Sequence, residues 1–390
     1  LSEYQLAYFF YHHVTDPLGN TEGDATRPLT KDFANQGGNS MFTTWTLAGW
    51  QGAALESALP YDTLSTTAQL PDSLAYGQDW AHMQNAYWIS SSDMESIKQM
   101  VMQYGAVNIG YQESGGYRNA TYNSYYNPSG TGSGHAVTIV GWDDAFSKEH
   151  FNQPPKEDGA WLIRNSWGTD SGENGYFWMS YEDTSLKNAA YVFLTEPANN
   201  YGHNYQYDGS IASVTISMAS GGKMVAANVF KANSNAYEEL KAVSFVLPEN
   251  SKVNYKIRVY KDLKDASNPE SGTLISSATT TGKTSYAGAY TVKLNKSVVL
   301  KKGTTFATIV ELEKSGESIS VQAEQSTTLW NSIKCVATAK KGQSFFKSGT
   351  RWVDYGVNHN KNFRIKAYTS NITPATYKVT FNANGGSVGT

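Results

Sequence analysis

Cysteine is almost absent from this sequence, and its scarcity excludes one class of fold. The 390 residues contain a single cysteine, Cys335, so the chain cannot hold an internal disulfide framework. Long hydrophobic runs are also missing, since no stretch of about 18 apolar residues occurs that could form a membrane-spanning helix. Neither sign of charge dominates, because the formal net charge is −3, and this gives no support to nucleic acid as a partner.

The residues that are present favour a folded, globular protein. Hydrophobic residues make up 40% of the chain and charged residues 17%, a balance that excludes a disordered polypeptide. A length of 390 residues predicts two or three domains. Aromatic residues reach 13%, which suits β structure and clefts for peptides or carbohydrates without identifying either.

The sequence pattern changes near residue 200. Before it, Ser92-x-x-Glu95 forms a capping box that predicts a helix ending at Gly105, and strands are predicted at 106–111, 136–142, 160–164 and 175–181. Residues 207–368 consist of short strand-like segments separated by turn signals, which favours an antiparallel β-sandwich. We therefore predict domains at 1–197 and 198–370 with a linker at 197–207, and a further piece at 371–390 containing a strand at 377–381.

Two polar side chains flank apolar, strand-like segments in the first domain. His135 directly precedes the segment 136–142, and Asn165 directly follows the segment 160–164. If the two segments pair in one sheet, a histidine ring oriented by an asparagine oxygen supplies two members of a nucleophilic triad. Trp167 would then cover the contact and exclude water. A lone histidine or a lone Asn-Ser-Trp-Gly turn is more often structural, so the hypothesis depends on their occurring together.

The same segments resemble the papain family of cysteine peptidases. The matching blocks are 1–6 (LSEYQL), 36–38 (QGG) with 59–61 (LPY), 134–141 (GHAVTIVG), 163–169 (IRNSWGT) and 172–176 (GENGY). In detail the chain is similar to bacterial members with a lectin-like domain after the peptidase, and residues 376–390 resemble the start of a Listeria–Bacteroides surface repeat. The resemblance implies an α+β papain-like cysteine peptidase domain, here partial, followed by an all-β sandwich of the lectin-like type.

The resemblance also implies site residues. His135 and Asn165 would be catalytic, with Trp167 supporting them. The positions that match substrate-binding residues of the family are Gly37, Gly38, Asn39, Ser40, Gly110 and Ala136. The two glycines match a segment whose backbone pairs with an extended peptide, and the other four surround the pocket for the second residue before the cleaved bond. None of these four is bulky or acidic, so a roomy pocket is expected.

Three family features are missing from this sequence. The family's cysteine nucleophile and the glutamine of its oxyanion hole precede the block that matches Leu1, so we expect the chain as given to be an inactive fragment. Cys335 is expected to be a small buried hydrophobic residue rather than a substitute. Ser171 stands where the family often has a second tryptophan. The cysteines that flank the double glycine in many eukaryotic relatives are also absent.

Two functions remain open from the sequence. The first is a cysteine endopeptidase, secreted or on the bacterial cell surface, that cleaves a peptide or protein substrate. The second is a surface adhesion or carbohydrate-binding protein whose peptidase-like domain is catalytically dead. The sandwich is a candidate for binding a glycan or cell-wall ligand.

No cofactor, metal ion or membrane span is expected. The loop 15–26 contains the oxygen-bearing residues Asp16, Asn20, Glu22 and Asp24, but their spacing is not that of an EF-hand, and a plain acidic loop is favoured over a Ca²⁺ site. In the second domain, Trp330, Trp352 and Asp354 are the candidates for a sugar platform, although core or rim positions are the commoner role for such aromatic residues.

Overall fold

The computed structural model describes residues 1–29, 32–65, 69–132, 134–186, 189–218, 222–249 and 251–373. The strand predicted at 377–381 and residues 374–390 of the predicted repeat lie outside these ranges. Within them, no helix is long and apolar enough to cross a membrane.

The first half of the chain combines helices with strands. Its helices are α1 (Glu3–Tyr11), α2 (Ser40–Ala48) and α3 (Met94–Tyr104), with 3₁₀ turns at Tyr61–Thr63, Asp72–Leu74, Gly115–Tyr117 and Lys148–His150. Its strands are β1 (Ala25–Pro28), β2 (Ala81–Ser90), β3 (Val107–Tyr111), β4 (Arg118–Asn119), β5 (Ser124–Tyr125), β6 (His135–Asp143), β7 (Ala160–Arg164), β8 (Tyr176–Ser180) and β9 (Ala189–Pro197). The four strands predicted in this half are confirmed as β3, β6, β7 and β8, each to within one residue at either end.

Helix α3 is present where the capping motif predicts it, but a different residue caps it. Asp93 is the N-cap, because its carboxylate accepts a hydrogen bond from the backbone N–H of Ser96 at 3.1 Å. The capping box at Ser92 therefore misplaces the helix start by one residue. Gly105 ends the helix with a φ of 87°, a left-handed conformation that glycine adopts without strain.

One sheet brings the predicted catalytic residues to a common edge. In the first half its strand order is β2-β9-β3-β6-β7-β8-β5-β4, antiparallel except where β5 meets β8. A cluster of buried apolar side chains packs on this sheet and holds its strands in place. Strand β6 begins at His135 and β7 ends at Arg164, and the two strands pair antiparallel. His135 and Asn165 therefore lie at the same end of the sheet.

The second half of the chain is built mainly of strands. They are β10 (His203–Tyr205), β11 (Ser213–Met218), β12 (Lys223–Lys231), β13 (Tyr237–Leu247), β14 (Asn254–Lys261), β15 (Thr273–Leu274), β16 (Thr280–Lys283), β17 (Ala287–Lys301), β18 (Thr305–Glu313), β19 (Ile319–Glu324), β20 (Thr327–Leu329), β21 (Ile333–Val336), β22 (Ser344–Ser348), β23 (Arg351–Asp354) and β24 (Lys366–Asn371). A 3₁₀ turn at Ser276–Ala278 and helix α4 (Tyr355–His359) interrupt them.

Most of these strands form two facing sheets, whereas β11 pairs separately with β19, and β20 and β21 belong to a small sheet with β1. The first contains β10-β24-β13-β17, and the second has the order β15-β14-β18-β12-β22-β23, with β16 beside β14. Side chains from both sheets, among them Phe245 and Phe306, share one buried apolar cluster. This is the packing of a β-sandwich, and the predicted antiparallel sandwich is confirmed.

The two halves are joined through their sheets rather than by a free linker. Strand β17 of the sandwich pairs with β2, so one sheet of the described residues runs continuously from β10 to β4. Strand β1 pairs separately with β21. The predicted linker at 197–207 is therefore wrong in part: it contains β10, which pairs with β24, and its Tyr201 and Tyr205 side chains are buried.

Candidate active site

His135 and Asn165 are in direct contact. The Nε2 atom of His135 lies 2.8 Å from the Oδ1 atom of Asn165. The backbone N–H of Ser166 donates to the same Oδ1 atom at 2.8 Å, which assigns that atom as the amide oxygen. The imidazole therefore donates from Nε2, and in the neutral ring Nδ1 is free to accept a proton.

A tight loop after β7 holds Asn165 in this position. The Asn165 side chain is buried, and its backbone N–H donates to the carbonyl of Gly175 at 2.9 Å. The Arg164 guanidinium donates to the Asn174 carbonyl at 2.6 Å and ties the two ends of the loop together. Gly175 has a φ of 86°, and a Cβ atom there would lie 2.4 Å from the Arg164 guanidinium. Only glycine fits this position without movement of the loop.

Trp167 stacks on the histidine ring. The two ring centroids are 4.8 Å apart and the planes are inclined by 28°. The tryptophan is 48% exposed, so it covers one side of the imidazole and shields the contact from water only in part.

An ion pair between Arg118 and Glu113 lies next to Trp167, and no sequence motif predicts this pair. Arg118 donates to both carboxylate oxygens of Glu113, at 2.8 and 3.1 Å, and Tyr111 also donates to Glu113. Burial by itself raises the pKa of Glu113, but the hydrogen bonds from Arg118 and Tyr111 outweigh it and hold the pKa below its ordinary value. The Arg118 guanidinium lies 5.3 Å from the Trp167 ring and 4.6 Å from the Phe177 ring. This cation–π contact helps to fix the tryptophan.

A groove with a volume of about 1170 Å³ opens beside His135. All six predicted substrate-binding residues line it, namely Gly37, Gly38, Asn39, Ser40, Gly110 and Ala136. A Cβ atom built at Gly37 or Gly38 would contact nothing within 4 Å, so the backbone of this segment is open to a ligand. Its walls also contain larger apolar side chains that were not predicted from the sequence: Met41, Tyr191, Phe193 and Trp330.

Comparison with known proteins agrees with this geometry. Residues 30–194 match the papain family of cysteine proteases, and residues 204–369 match the lectin-like domain family. The crystal structure of the cysteine protease and lectin-like domains of Cwp84, a surface layer associated protein of Clostridium difficile, covers 84% of this chain and 72% of its own at 26% identity, with a TM-score of 0.71. The chain joins a papain-family cysteine peptidase domain to a lectin-like domain.

Further relatives agree with both parts of this assignment. A structure of the same clostridial protease after propeptide cleavage covers 95% of this chain and 88% of its own, at 26% identity and a TM-score of 0.77. The cathepsin B-like protein CP2 of Giardia intestinalis is 29% identical over 177 residues, which are 41% of this chain and 53% of that protein. The chain thus spans about half the length of this curated relative.

Cys335 is unsuited to serve the peptidase site. It lies in β21 of the lectin-like domain, is 2% exposed and belongs to a buried apolar cluster. Burial raises the pKa of its thiol to about 11, so the sulfur is protonated near neutral pH and a poor nucleophile. The predicted role as a small buried hydrophobic residue is confirmed.

The other candidate sites are not assembled as ligand sites. Asp16 accepts backbone hydrogen bonds from Leu18 and Thr21 within its own loop, and Asp24 accepts them from Gly209 and Thr338. Among the described ranges of the chain, no group of three or more His, Cys, Asp or Glu side chains is placed to hold a metal ion.

The three candidate residues for a sugar platform, Trp330, Trp352 and Asp354, do not form one surface. Trp330 packs on Phe42 of the peptidase domain, with ring centroids 5.3 Å apart. Trp352 donates from its indole to Glu270, and Asp354 caps helix α4. These contacts place Trp330 at the peptidase groove, whereas the other two residues take part in the structure of the sandwich.

Proposed function

We propose that this chain is the part of a cysteine endopeptidase that contains the catalytic histidine and asparagine, and that the full-length enzyme cleaves peptide or protein substrates. The observation that carries the proposal is the 2.8 Å contact between His135 Nε2 and Asn165 Oδ1 at the edge of an open groove. The proposal takes the nucleophile to be a cysteine that is not among these 390 residues, in the segment that the family places before Leu1.

The chemistry follows from the tautomer of His135. Nδ1 takes the proton of the cysteine thiol, and the thiolate attacks the carbonyl carbon of the substrate. The C–N bond then breaks, and His135 returns the proton to the departing amine. Water hydrolyses the thioester and regenerates the thiol. Asn165 transfers no proton, because it holds the ring in the orientation that points Nδ1 at the sulfur.

The open backbone at Gly37 and Gly38 is proposed to pair with the peptide ahead of the cleaved bond. Asn39, Ser40, Gly110 and Ala136 line the pocket for the second residue before that bond, within the same groove as His135. Ser40 also donates to the side chain of Asn108, which joins the start of α2 to strand β3 across the groove. Peptide binding by strand addition is consistent with this open backbone.

The proposal also covers the cellular location of the protein and the limits of its domains. The relative of known structure is a surface layer associated protein, which supports a secreted or cell-surface bacterial protein. We propose that the peptidase domain ends near 197, that the lectin-like domain spans 198–370, and that 371–390 begins a surface repeat.

The proposal is tested by peptide hydrolysis with the chain as given and with the full-length protein. The chain as given should not hydrolyse peptides above background, because it has no thiol in the groove. The full-length protein should show activity that iodoacetamide blocks. His135→Ala should abolish that activity, and Asn165→Ala should lower kcat less than His135→Ala does. A chain that cleaved peptides and was alkylated at Cys335 would contradict the proposal.

A second function is supported by the lectin-like match over residues 204–369. In this alternative the protein is a surface adhesion or carbohydrate-binding protein, and the peptidase-like domain is inactive. The alternative would be favoured if the full-length protein carried the cysteine and yet stayed inert after removal of any propeptide. A glycan and peptidoglycan array probed with the intact chain tests the sugar-binding part, and binding to none of them would leave the domain with a structural role.

A further inference from the structure

A bulky residue stands at the tip of a hairpin where the backbone disfavours it. Strands β20 and β21 are joined by a turn in which the Ser332 N–H donates to the Leu329 carbonyl at 3.0 Å. Its two central residues, Trp330 and Asn331, have φ values of 49° and 56°. Turns with two positive φ values favour Asn-Gly, and an aromatic residue at the first position is strained.

The tryptophan at this tip is also exposed. Its side chain is 54% accessible, whereas most large apolar residues in the described part of the chain are buried or half-buried. Strained backbone and exposed aromatic rings are both typical of functional positions.

The hairpin places this ring at the peptidase groove. Strand β21 pairs with β1 of the peptidase domain, and the Leu29 N–H donates to the Ser332 carbonyl at 2.7 Å, beside the turn. The Trp330 ring packs on Phe42, on helix α2, whose first residue is Ser40. Trp330 therefore lines the same groove as Gly37, Gly38 and His135, although it comes from the other domain.

We infer that Trp330 of the lectin-like domain forms an apolar wall of the peptide-binding groove and selects substrates with a large apolar side chain two residues before the cleaved bond. This inference rests on the proposed function. The small residues of the pocket, Ser40, Gly110 and Ala136, offer space but little apolar contact. The indole supplies that contact, together with Tyr191 and Phe193 on β9. The groove is incomplete when the lectin-like domain is not docked.

The first experiment compares two peptides that differ only in having leucine or glycine at that position. In the full-length enzyme, Trp330→Asn should lower kcat/KM for the leucine peptide by about 10-fold and for the glycine peptide by less than about 2-fold. Asparagine is suited to the positive φ of the turn, so this change removes the ring and keeps the hairpin. Trp330→Phe should retain most of the preference. Trp80→Asn is the matched control, because Trp80 is 63% exposed and does not line the groove.

Alkylation by iodoacetamide separates this inference from the proposed function. The reagent needs no peptide contact, so Trp330→Asn should be alkylated at the same rate as the wild-type enzyme. A wild-type protein that is neither alkylated in the groove nor active would refute the proposed function. A wild-type protein that cleaves both peptides, with Trp330→Asn lowering both equally or neither, would overturn the inference alone.

Peptide binding to the 390-residue chain tests the role of Trp330 without requiring catalytic activity. Each peptide is titrated into the 390-residue chain, and the indole N–H signal of Trp330 is identified by its loss in the spectrum of Trp330→Phe. The leucine peptide should shift this signal at concentrations where the glycine peptide does not. If signals of Gly37 and Gly38 shifted with the leucine peptide while the indole signal stayed in place, Trp330 would not contact the substrate.

Discussion

Asp79 is a buried carboxyl group at the junction of the two domains, and its replacement by asparagine should change stability in a pH-dependent way. It lines a cavity of about 260 Å³ between the peptidase domain and the segment that contains β10. Its side chain is 6% exposed, and within the described residues its Oδ1 atom has no hydrogen-bond partner. The nearest cationic candidate is His82, with Nε2 at 4.0 Å, but burial lowers the pKa of that imidazole and favours its neutral form.

Burial raises the pKa of Asp79 from its ordinary value of 3.8 to about 7. Between these two values the folded protein holds the proton that the unfolded chain has released. The free energy of unfolding therefore falls by about 1.4 kcal/mol per pH unit as the pH rises through this range, and becomes constant above it. Asparagine does not titrate. The stability of Asp79→Asn relative to the wild type should thus increase by about 3 kcal/mol between pH 5 and pH 8.

The assay is urea unfolding of both proteins at pH 5, 6, 7 and 8. Any pH-independent effect of the asparagine amide cancels in the comparison between pH values. His82 lies 4.0 Å from Asp79, so Asp79→Asn is also compared with the wild type in a His82→Gln background, which removes the titration of that imidazole from both proteins. Asp62→Asn, at an exposed position, serves as the control and should show no such trend. If the difference in the free energy of unfolding between Asp79→Asn and the wild type stayed constant from pH 5 to pH 8, the pKa of Asp79 would not be raised in the folded protein.

Two further predictions concern the loop that holds Asn165 and the buried charges between the domains. Gly168 and Gly175 both have a positive φ, which costs alanine about 1 kcal/mol. Gly168→Ala, with open space around its Cβ, should cost only that much, whereas Gly175→Ala should cost about 1–3 kcal/mol more, because its new Cβ meets the Arg164 guanidinium and the Gly168 carbonyl. Equal unfolding midpoints for the two variants would contradict this. Arg364→Met should lower the free energy of unfolding by about 3–5 kcal/mol in urea unfolding, since the buried Asp208 carboxylate is left with Lys366 alone and the Ser210 carbonyl loses its guanidinium donor; an unchanged midpoint would show that Arg364 is not needed there.

The residues around the histidine could be predicted because their determinants are local. Strands β6 and β7 are short apolar segments with polar residues at their ends, and antiparallel pairing of such segments suffices to bring His135 and Asn165 together. The helix α3 was predictable for the same reason. Its cap was misassigned because Ser92 and Asp93 are adjacent and both are good N-cap residues.

The remaining features depend on contacts between distant segments. The segment 197–207 has the polar composition of a linker, and only its pairing with β24 makes part of it a strand. Glu113 and Arg118 belong to no sequence motif. Their connection to the site depends on the contact between Arg118 and Trp167, which are 49 positions apart in the sequence and meet only in the folded protein. Trp330 reaches the groove through the pairing of β21 with β1, and no pattern in the sequence predicts that pairing.

His135 and Asn165 are proposed to serve a cysteine nucleophile that is not among these 390 residues. The most direct measurement is covalent labelling of the full-length protein with a peptidyl epoxide, followed by mass spectrometry of the labelled peptide. The label is expected on a cysteine that precedes Leu1, and it should be lost in His135→Ala and retained in Cys335→Ser. A label on Cys335, or a label on the upstream cysteine that His135→Ala leaves unchanged, would show that His135 and Asn165 do not serve that cysteine.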